Sequence, residues 1–320
     1  MDIVFVKLGA LGDVINTLPL AITLKECLHA RIHWLVEPLS LPIVRGHPAV
    51  YSAIVFDRSK WPGALPAFLA QLRRLEFDIA LDLQRTAKSA LFCQASRSTR
   101  KIGFDKSRCK ELTWILPFER IEPADPHRHM VYQYLDFARH LGIEPGPVRW
   151  DIPFSGNPPA GIPRDYVVLN VGATKEANRW SARGFASLAE GVMRGRGLPC
   201  VLTGSREDVT MARAIASMAP ARTVDMVGRT TIAELIEILA GAKAVVTCDT
   251  GPMHLAVALG TEVVALMGPS DPRRTGPFKG TVVRLDLPCM PCNKRRCKNP
   301  LCMRGIVPEM VMEALDCVLG

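Results

Sequence analysis

The segment from Ala242 to Met267 constrains this chain more than any other. Its centre reads Val245-Val246-Thr247-Cys248-Asp249-Thr250-Gly251-Pro252-Met253-His254-Leu255-Ala256. The largely apolar run Ala242 to Cys248 predicts a buried strand with no alternation. It breaks at Asp249-Thr250-Gly251, and Pro252 stands where prolines open helices. Leu255, Ala258 and Leu259 continue at helical spacing to Gly260, and Glu262 to Met267 is the next strand, ended by Gly268-Pro269-Ser270-Asp271-Pro272. Such a strand–turn–helix–strand unit places free backbone N–H groups and the helix's positive end where an anion can rest. Asp249 would repel a phosphate, so it suits hydroxyls beside one. Phosphate plus polyol points to a nucleotide sugar. The plainer account is that Asp249 or Thr250 caps the helix.

The amino terminus predicts a matching unit. Ile3 to Lys7 reads as a strand, Leu8-Gly9-Ala10-Leu11-Gly12-Asp13 as a turn, and Val14 to Leu28 as a helix. Gly9 and Gly12 would let the backbone turn tightly and approach a ligand. Asp13 then lies at the first helical turn, aimed outside the strand ends. This turn lacks the Gly-x-Gly-x-x-Gly dinucleotide fingerprint, although Glu37 falls near the end of a following strand. A nucleotide-sugar dehydrogenase or epimerase would need that fingerprint.

Alternation of strands and helices fills the rest. Ile32–Val36, Ala53–Phe56, Asp78–Leu83 and Lys101–Phe104 are expected strands, with helices over Trp61–Leu75, Thr86–Ser96 and His129–Leu141. A proline- and glycine-rich stretch, Gly142 to Pro163, predicts a linker. Strands resume at Tyr166–Val171, Pro199–Thr203, Ala242–Cys248 and Glu262–Met267, with helices Ala182–Met193, Asp208–Met218 and Ile232–Leu239 between them. The expected architecture is α/β: two Rossmann-like domains with parallel sheets facing a central cleft. The domains are expected over 1–150 and 151–305, with a last amphipathic helix in 306–320.

With 320 residues and 48% hydrophobic content, the chain can fill two ordinary cores. It has no apolar run long enough to span a bilayer. Met1-Asp2-Ile3 shows no secretion signal, and ten cysteines without one favour reduced thiols. A formal charge of +9 suits an anionic partner: nucleotide, phosphorylated glycolipid, membrane surface or nucleic acid.

Taken together, several stretches resemble glycosyltransferase family 9, and within it the type I ADP-heptose:lipopolysaccharide heptosyltransferases most closely. They are Val6 to Pro19, His33 to Glu37, Asp82 to Ser89, Gly172-Ala173-Thr174, Arg179-Trp180, Asp249 to His254 and Gly268 to Pro272. The resemblance implies a GT-B fold, with the acceptor held mainly by the first domain and the donor by the second. It also implies that the last helix can cross back onto the first domain. The implied reaction moves heptose from ADP-heptose to a Kdo-bearing lipid A acceptor, at the cytoplasmic face of the inner membrane and with peripheral membrane contact. Heptosyltransferases II and III and other family members share these turns. Carried over by position, Asp13 corresponds to the catalytic base. Thr250 and Gly251 correspond to backbone donors to the pyrophosphate, with Thr174 on a neighbouring donor loop and Asp249 and His254 near the heptose. Glu207 stands where the family has an acid holding the ribose, with Asp208 competing. The family's lysine before the Arg/His-Trp pair is here Asn178, so Lys175 or Arg179 would supply the charge.

The chemistry fits those assignments. Backbone N–H groups and a basic side chain stabilise charge on a departing diphosphate. No Asp-x-Asp motif is present, which predicts transfer without a bound metal or other cofactor. One base and no protein nucleophile imply inversion. The plainer role for Asp13 is a cap or first-turn acid. On the first domain, Gly12 with Arg58, Lys60, Arg85 and Lys88 at strand ends would meet an anionic acceptor. Cys289, Cys292, Cys297 and Cys302 share a loop with Lys294, Arg295, Arg296 and Lys298. The four thiols could bind zinc or form a reduced structural loop. The basic loop could serve nucleic acid, but 6% aromatic residues offers little for base stacking, so no nucleic-acid partner is expected.

Overall fold

The computed structural model describes residues 1–320 except Trp61, Ala64 and the side chain of Ala221. The chain divides into two units, Met1–Pro153 and Phe154–Gly320, the boundary falling inside the proline- and glycine-rich stretch.

In the first unit the strands are β1 (Asp2–Val6), β2 (Arg31–Val36), β3 (Ser52–Val55), β4 (Glu76–Asp82), β5 (Arg97–Gly103) and β6 (Glu119–Arg120). They form one parallel sheet in the order β3-β2-β1-β4-β5-β6. Phe5 pairs with Trp34 on one side and Leu81 on the other. Central strands of such a sheet are covered on both faces, which is why β1 is a continuous apolar run without alternation. The helices are α1 (Leu11–Leu28), α2 (Leu41–Val44), α3 (Leu65–Leu72), α4 (Ala87–Ala95) and α5 (Met130–His140). Helices α1 and α5 pack on each other, while α3 and α4 bring Phe68 and Phe92 onto Phe56 with ring centroids 4.8–5.0 Å apart. Helix α3 is shorter than the predicted Trp61–Leu75, whose first residue lies outside the described residues.

The second unit repeats the plan. Its strands are β7 (Val167–Asn170), β8 (Cys200–Thr203), β9 (Thr223–Asp225), β10 (Ala244–Cys248), β11 (Val263–Leu266) and β12 (Thr281–Val283), ordered β12-β11-β10-β7-β8-β9 and again parallel. Its helices are α6 (Ala182–Arg196), α7 (Val209–Met218), α8 (Ile232–Ala240), α9 (Gly251–Ala258), α10 (Pro272–Thr275), α11 (Leu301–Arg304) and α12 (Pro308–Leu319). Strands β7, β8, β10 and β11 are buried along their whole length. Helix α12 buries Val311 and Leu315 in this unit's own core, against α6 and β10–β12. Counted from each unit's own first strand, the two sheets share one order, 3-2-1-4-5-6. In such sheets the loops leaving the first and fourth strands part company at the carboxyl ends. That point is where open α/β sheets bind ligands.

Candidate functional site

In the first unit this switch point lies between β1 and β4. The chain leaves β1 at Lys7 and enters α1 at Leu11, earlier than the predicted Val14. The N-cap is Ala10, which makes no side-chain capping bond, and Asp13 is the third residue of the helix. Asp13 is therefore not the cap of α1. Its Oδ2 lies 3.3 Å from Lys7 Nζ, and its Oδ1 accepts a hydrogen bond from the Tyr134 hydroxyl at 3.2 Å. The Asp13 side chain is 39% exposed and that of Lys7 only 1%, so the acid faces outward from a buried cation. Neither Gly9 nor Gly12 takes a positive φ. The chain turns through a cis Gly9–Ala10 peptide bond, and a Cβ on Gly9 would meet only Glu37 Oε2, at 3.8 Å. Gly12 is buried in the first turn of α1.

The expected acceptor cations divide. Arg85 follows β4 with φ +67, a conformation that costs a non-glycine residue about 1 kcal/mol or more. Its guanidinium lies over the Phe104 ring at 4.8 Å, Nη1 donates to the Arg108 carbonyl, and Nε is buried with no hydrogen-bond partner. Lys88, in the first turn of α4, pairs with Glu37 at 3.3 Å and lies over the Phe56 ring. Arg58 and Lys60 stand exposed on a 3-10 turn of their own, Lys60 facing Asp57 at 3.5 Å. Sequence reasoning missed Lys7 and Tyr134. The available signal was a lysine ending an otherwise apolar strand.

In the second unit the switch point lies between β7 and β10, and a buried polar net holds it. Asn170 Nδ2 donates to Thr247 Oγ1 at 3.0 Å and Thr250 Oγ1 at 3.3 Å, while Thr203 Oγ1 donates to Asn170 Oδ1 at 3.3 Å. Thr250 occupies the N-cap position of α9 but makes no side-chain capping bond; its hydroxyl is engaged with Thr247 and Asn170 instead. The predicted alternative, a simple cap, is thus absent, and no side-chain cap shields the first turn of α9, starting at Gly251, from an anion. Asp249 accepts from Asn178 Nδ2 at 3.3 Å, and His254 is buried on α9.

Two neighbouring loops complete this end of the sheet. Thr174 is exposed, and Lys175 Nζ lies 3.4 Å from Ser270 Oγ, the hydroxyl that Asn178 Nδ2 also reaches at 3.4 Å. Asn178 is 1% exposed, and its Oδ1 has no hydrogen-bond partner. Lys175 therefore places its charge beside Asn178. Arg179 is engaged elsewhere: Nη1 lies 2.8 Å from Asp208 Oδ1, an ion pair off hydrogen-bond alignment. Asp208 is buried and also accepts from Ser205 N–H and Oγ–H, so it knits the loop together. Glu207 beside it is exposed at the carboxyl end of β8.

The four-cysteine loop backs onto these same loops. Arg295 C=O accepts from Ala177 N–H, Pro269 C=O accepts from Asn293 N–H, and Arg296 pairs with Glu176 at 3.2 Å. Cys302 is buried, 3.3 Å from where a Cβ on Gly268 would sit, whereas Cys289 and Cys297 are exposed. All ten cysteines are free thiols, and among the described residues no three His, Cys, Asp or Glu side chains are gathered as a metal site.

Known proteins resemble this chain in sequence and in fold. Over its whole length the chain is 28% identical to lipopolysaccharide heptosyltransferase 1 of Pseudomonas aeruginosa, covering 98% of that protein. Among solved structures, a glycosyl transferase family 9 protein from Veillonella parvula superposes with a TM-score of 0.86 at 21% identity, over 99% of this chain and 97% of the other. E. coli heptosyltransferase WaaC with ADP gives 0.82 at 23% identity, over 99% and 100%. These likenesses make the fold GT-B in type. Residues 66–303, most of the chain, match the family model described as Glycosyltransferase family 9 (heptosyltransferase), and the chain belongs to that family.

Proposed function

We propose that this protein is an inverting heptosyltransferase that moves heptose from ADP-heptose to a Kdo-bearing lipid A acceptor in lipopolysaccharide inner-core synthesis. The observation that carries the reading is Asp13: a half-exposed carboxylate at a switch point, held by Lys7 and Tyr134. Such a group accepts a hydroxyl proton as the acceptor oxygen bonds to the anomeric carbon. The second unit supplies the leaving-group side. The first-turn N–H groups of α9 from Gly251, with Thr250 before them, receive the diphosphate. Lys175 adds a cation, Glu207 accepts from the ribose hydroxyls, and Asp249 and His254 face the heptose. Arg85 and Lys88 meet the anionic acceptor, with Gly12 beside Asp13; Arg58 and Lys60 extend that surface outward. Direct displacement with a single base inverts the anomeric centre, and protein cations rather than a metal balance the diphosphate. The full-length likeness to a lipopolysaccharide heptosyltransferase 1 supports the type I acceptor.

Among the described residues no helix is long and apolar enough to cross a membrane. The proposed contact with the cytoplasmic face of the inner membrane is peripheral and electrostatic, so salt should release the protein from acidic vesicles; release by detergent alone would overturn that placement. Activity is tested with purified protein, ADP-heptose and Kdo-lipid A, with UDP-sugars and an already heptosylated acceptor as controls. Transfer from ADP-heptose to Kdo-lipid A with inverted anomeric configuration is expected. Transfer only to the heptosylated acceptor, or only from another nucleotide sugar, would overturn the assignment.

A further inference from the structure

The Lys7 ammonium is almost wholly enclosed. It donates to the Leu83 carbonyl at 3.3 Å, lies 3.3 Å from Asp13 Oδ2, and sits 5.1 Å from the centre of the Tyr134 ring, whose hydroxyl binds the other Asp13 oxygen. Its own carbonyl accepts from the Trp34 indole at 2.9 Å, which fixes the backbone from which the side chain departs. One cation and one hydroxyl thus hold the two oxygens of a single carboxylate from two places, the residue just after β1 and helix α5. A surface ion pair would leave that carboxylate free to turn; this one does not.

We propose that Lys7 is a positioning residue for Asp13: its buried ammonium fixes the carboxylate in the orientation that accepts the acceptor proton. The inference rests on the proposed role of Asp13 and deepens it. Every titratable or charged group facing Lys7 bears on its charge. Burial pulls the ammonium down from its ordinary value to about 8; Asp13 opposes that shift, and the cations of Arg85 and Lys110 add to it. Asp82 on β4 faces it too, its own carboxyl pushed up by burial against hydrogen bonds from Ser89 and the backbone of Arg85 and Gln84. Tyr134 completes the set. The clamp on Asp13 is therefore intact at neutral pH and is released as pH rises through about 8.

Lys7 titrates lower in the folded chain than in the unfolded one, so its burial weakens folding fully below about pH 8, and the penalty is relieved as pH rises toward the ordinary lysine value.

The test compares wild type with Lys7→Met, Lys7→Arg and Asp13→Asn, measuring kcat, KM for ADP-heptose and thermal stability from about pH 6 to about pH 10. Lys7→Met should lower kcat about 10- to 100-fold at neutral pH, leave KM for ADP-heptose within about twofold, lose the alkaline limb near pH 8, and melt no lower than wild type. Lys7→Arg, which does not titrate in this range, should recover part of kcat and keep it above that limb. A folded Lys7→Met with wild-type kcat and pH profile overturns the inference. If Lys7→Met does not fold, an unmoved alkaline limb in Lys7→Arg overturns it instead. Asp13→Asn separates the levels: if it stays active, the base assignment falls; if it is inactive while both Lys7 variants behave as wild type, only the role of Lys7 falls.

Discussion

Asp13 stands in the first turn of a helix whose cap position is alanine, where a carboxylate favours the helix end, so Asp13→Asn weighs that structural role against the catalytic one. As the base, it should cost turnover about two to four orders of magnitude. As a structural acid, it should cost about 1 kcal/mol of stability and little activity. Measuring kcat and melting temperature on one sample separates the two, and the first result is expected. The loop proposed to meet the donor gives a second contrast. Lys175 reaches Ser270 beside Asn178, whereas Arg179 is engaged by Asp208. Lys175→Ala should therefore raise the Kd for ADP about tenfold or more, the loss of a charge-assisted contact. Arg179→Ala should act mainly on stability, by leaving Asp208 buried with its ion pair broken; titration calorimetry with ADP and a melting curve read the two effects apart. Asp13, Asp249 and Thr250 were legible in the sequence because each interrupts an apolar run at a turn. Lys7, Asn170 and Thr247 were not. A single polar residue near the end of a strand looks the same whether it faces solvent or a neighbouring loop, and only the order of strands in the sheet tells which.

Elements were legible in proportion to how completely they are buried. The predicted strands at Tyr166–Val171 and Glu262–Met267 contain β7 and β11, whose residues are apolar because both faces are covered. Strands β6, β9 and β12 escaped prediction: they are two or three residues long, lie at or next to sheet edges and are only partly buried, so no apolar pattern marks them. The four-residue helices α2, α10 and α11 fell below the length at which helical spacing becomes visible. Helix α6 shows why a residue's neighbours outweigh its propensity. Alanine favours a helix over glycine by about 1 kcal/mol. At Gly184, however, a Cβ would sit 2.6 Å from the Trp180 ring, which is wedged against Phe185 and donates to the Ile306 carbonyl. Gly184→Ala should therefore destabilise by about 1–3 kcal/mol, the range for overpacking, and shift Trp180 fluorescence; a denaturant midpoint above that of wild type would show propensity winning.

Several carboxylates in each unit are held below their ordinary values. The side-chain bond from Arg31 does this for Asp2 and that from Arg100 for Glu119; against burial, Ser107 and Arg108 do it for Asp105, and the backbone of Ser155, Gly156 and Asn157 does it for Glu237. Depressed carboxylates contribute stability above their unfolded values and lose it as pH falls through the folded ones. Stability is thus expected to decline below the ordinary carboxylate range, aided by a net charge that starts at +9 and grows with each proton. Melting curves read as pH is lowered should show this, and a flat response would contradict it. The repeated strand order has a consequence in time as well as in space. The first sheet draws every strand from residues before Pro153, and the last helix lies with the second sheet. On the ribosome, the first unit is complete while most of the second is still unmade. Chains grow at about 5–20 residues per second, so on the order of ten seconds pass between completion of the first sheet and completion of the second, similarly ordered set of strands that could compete for pairing.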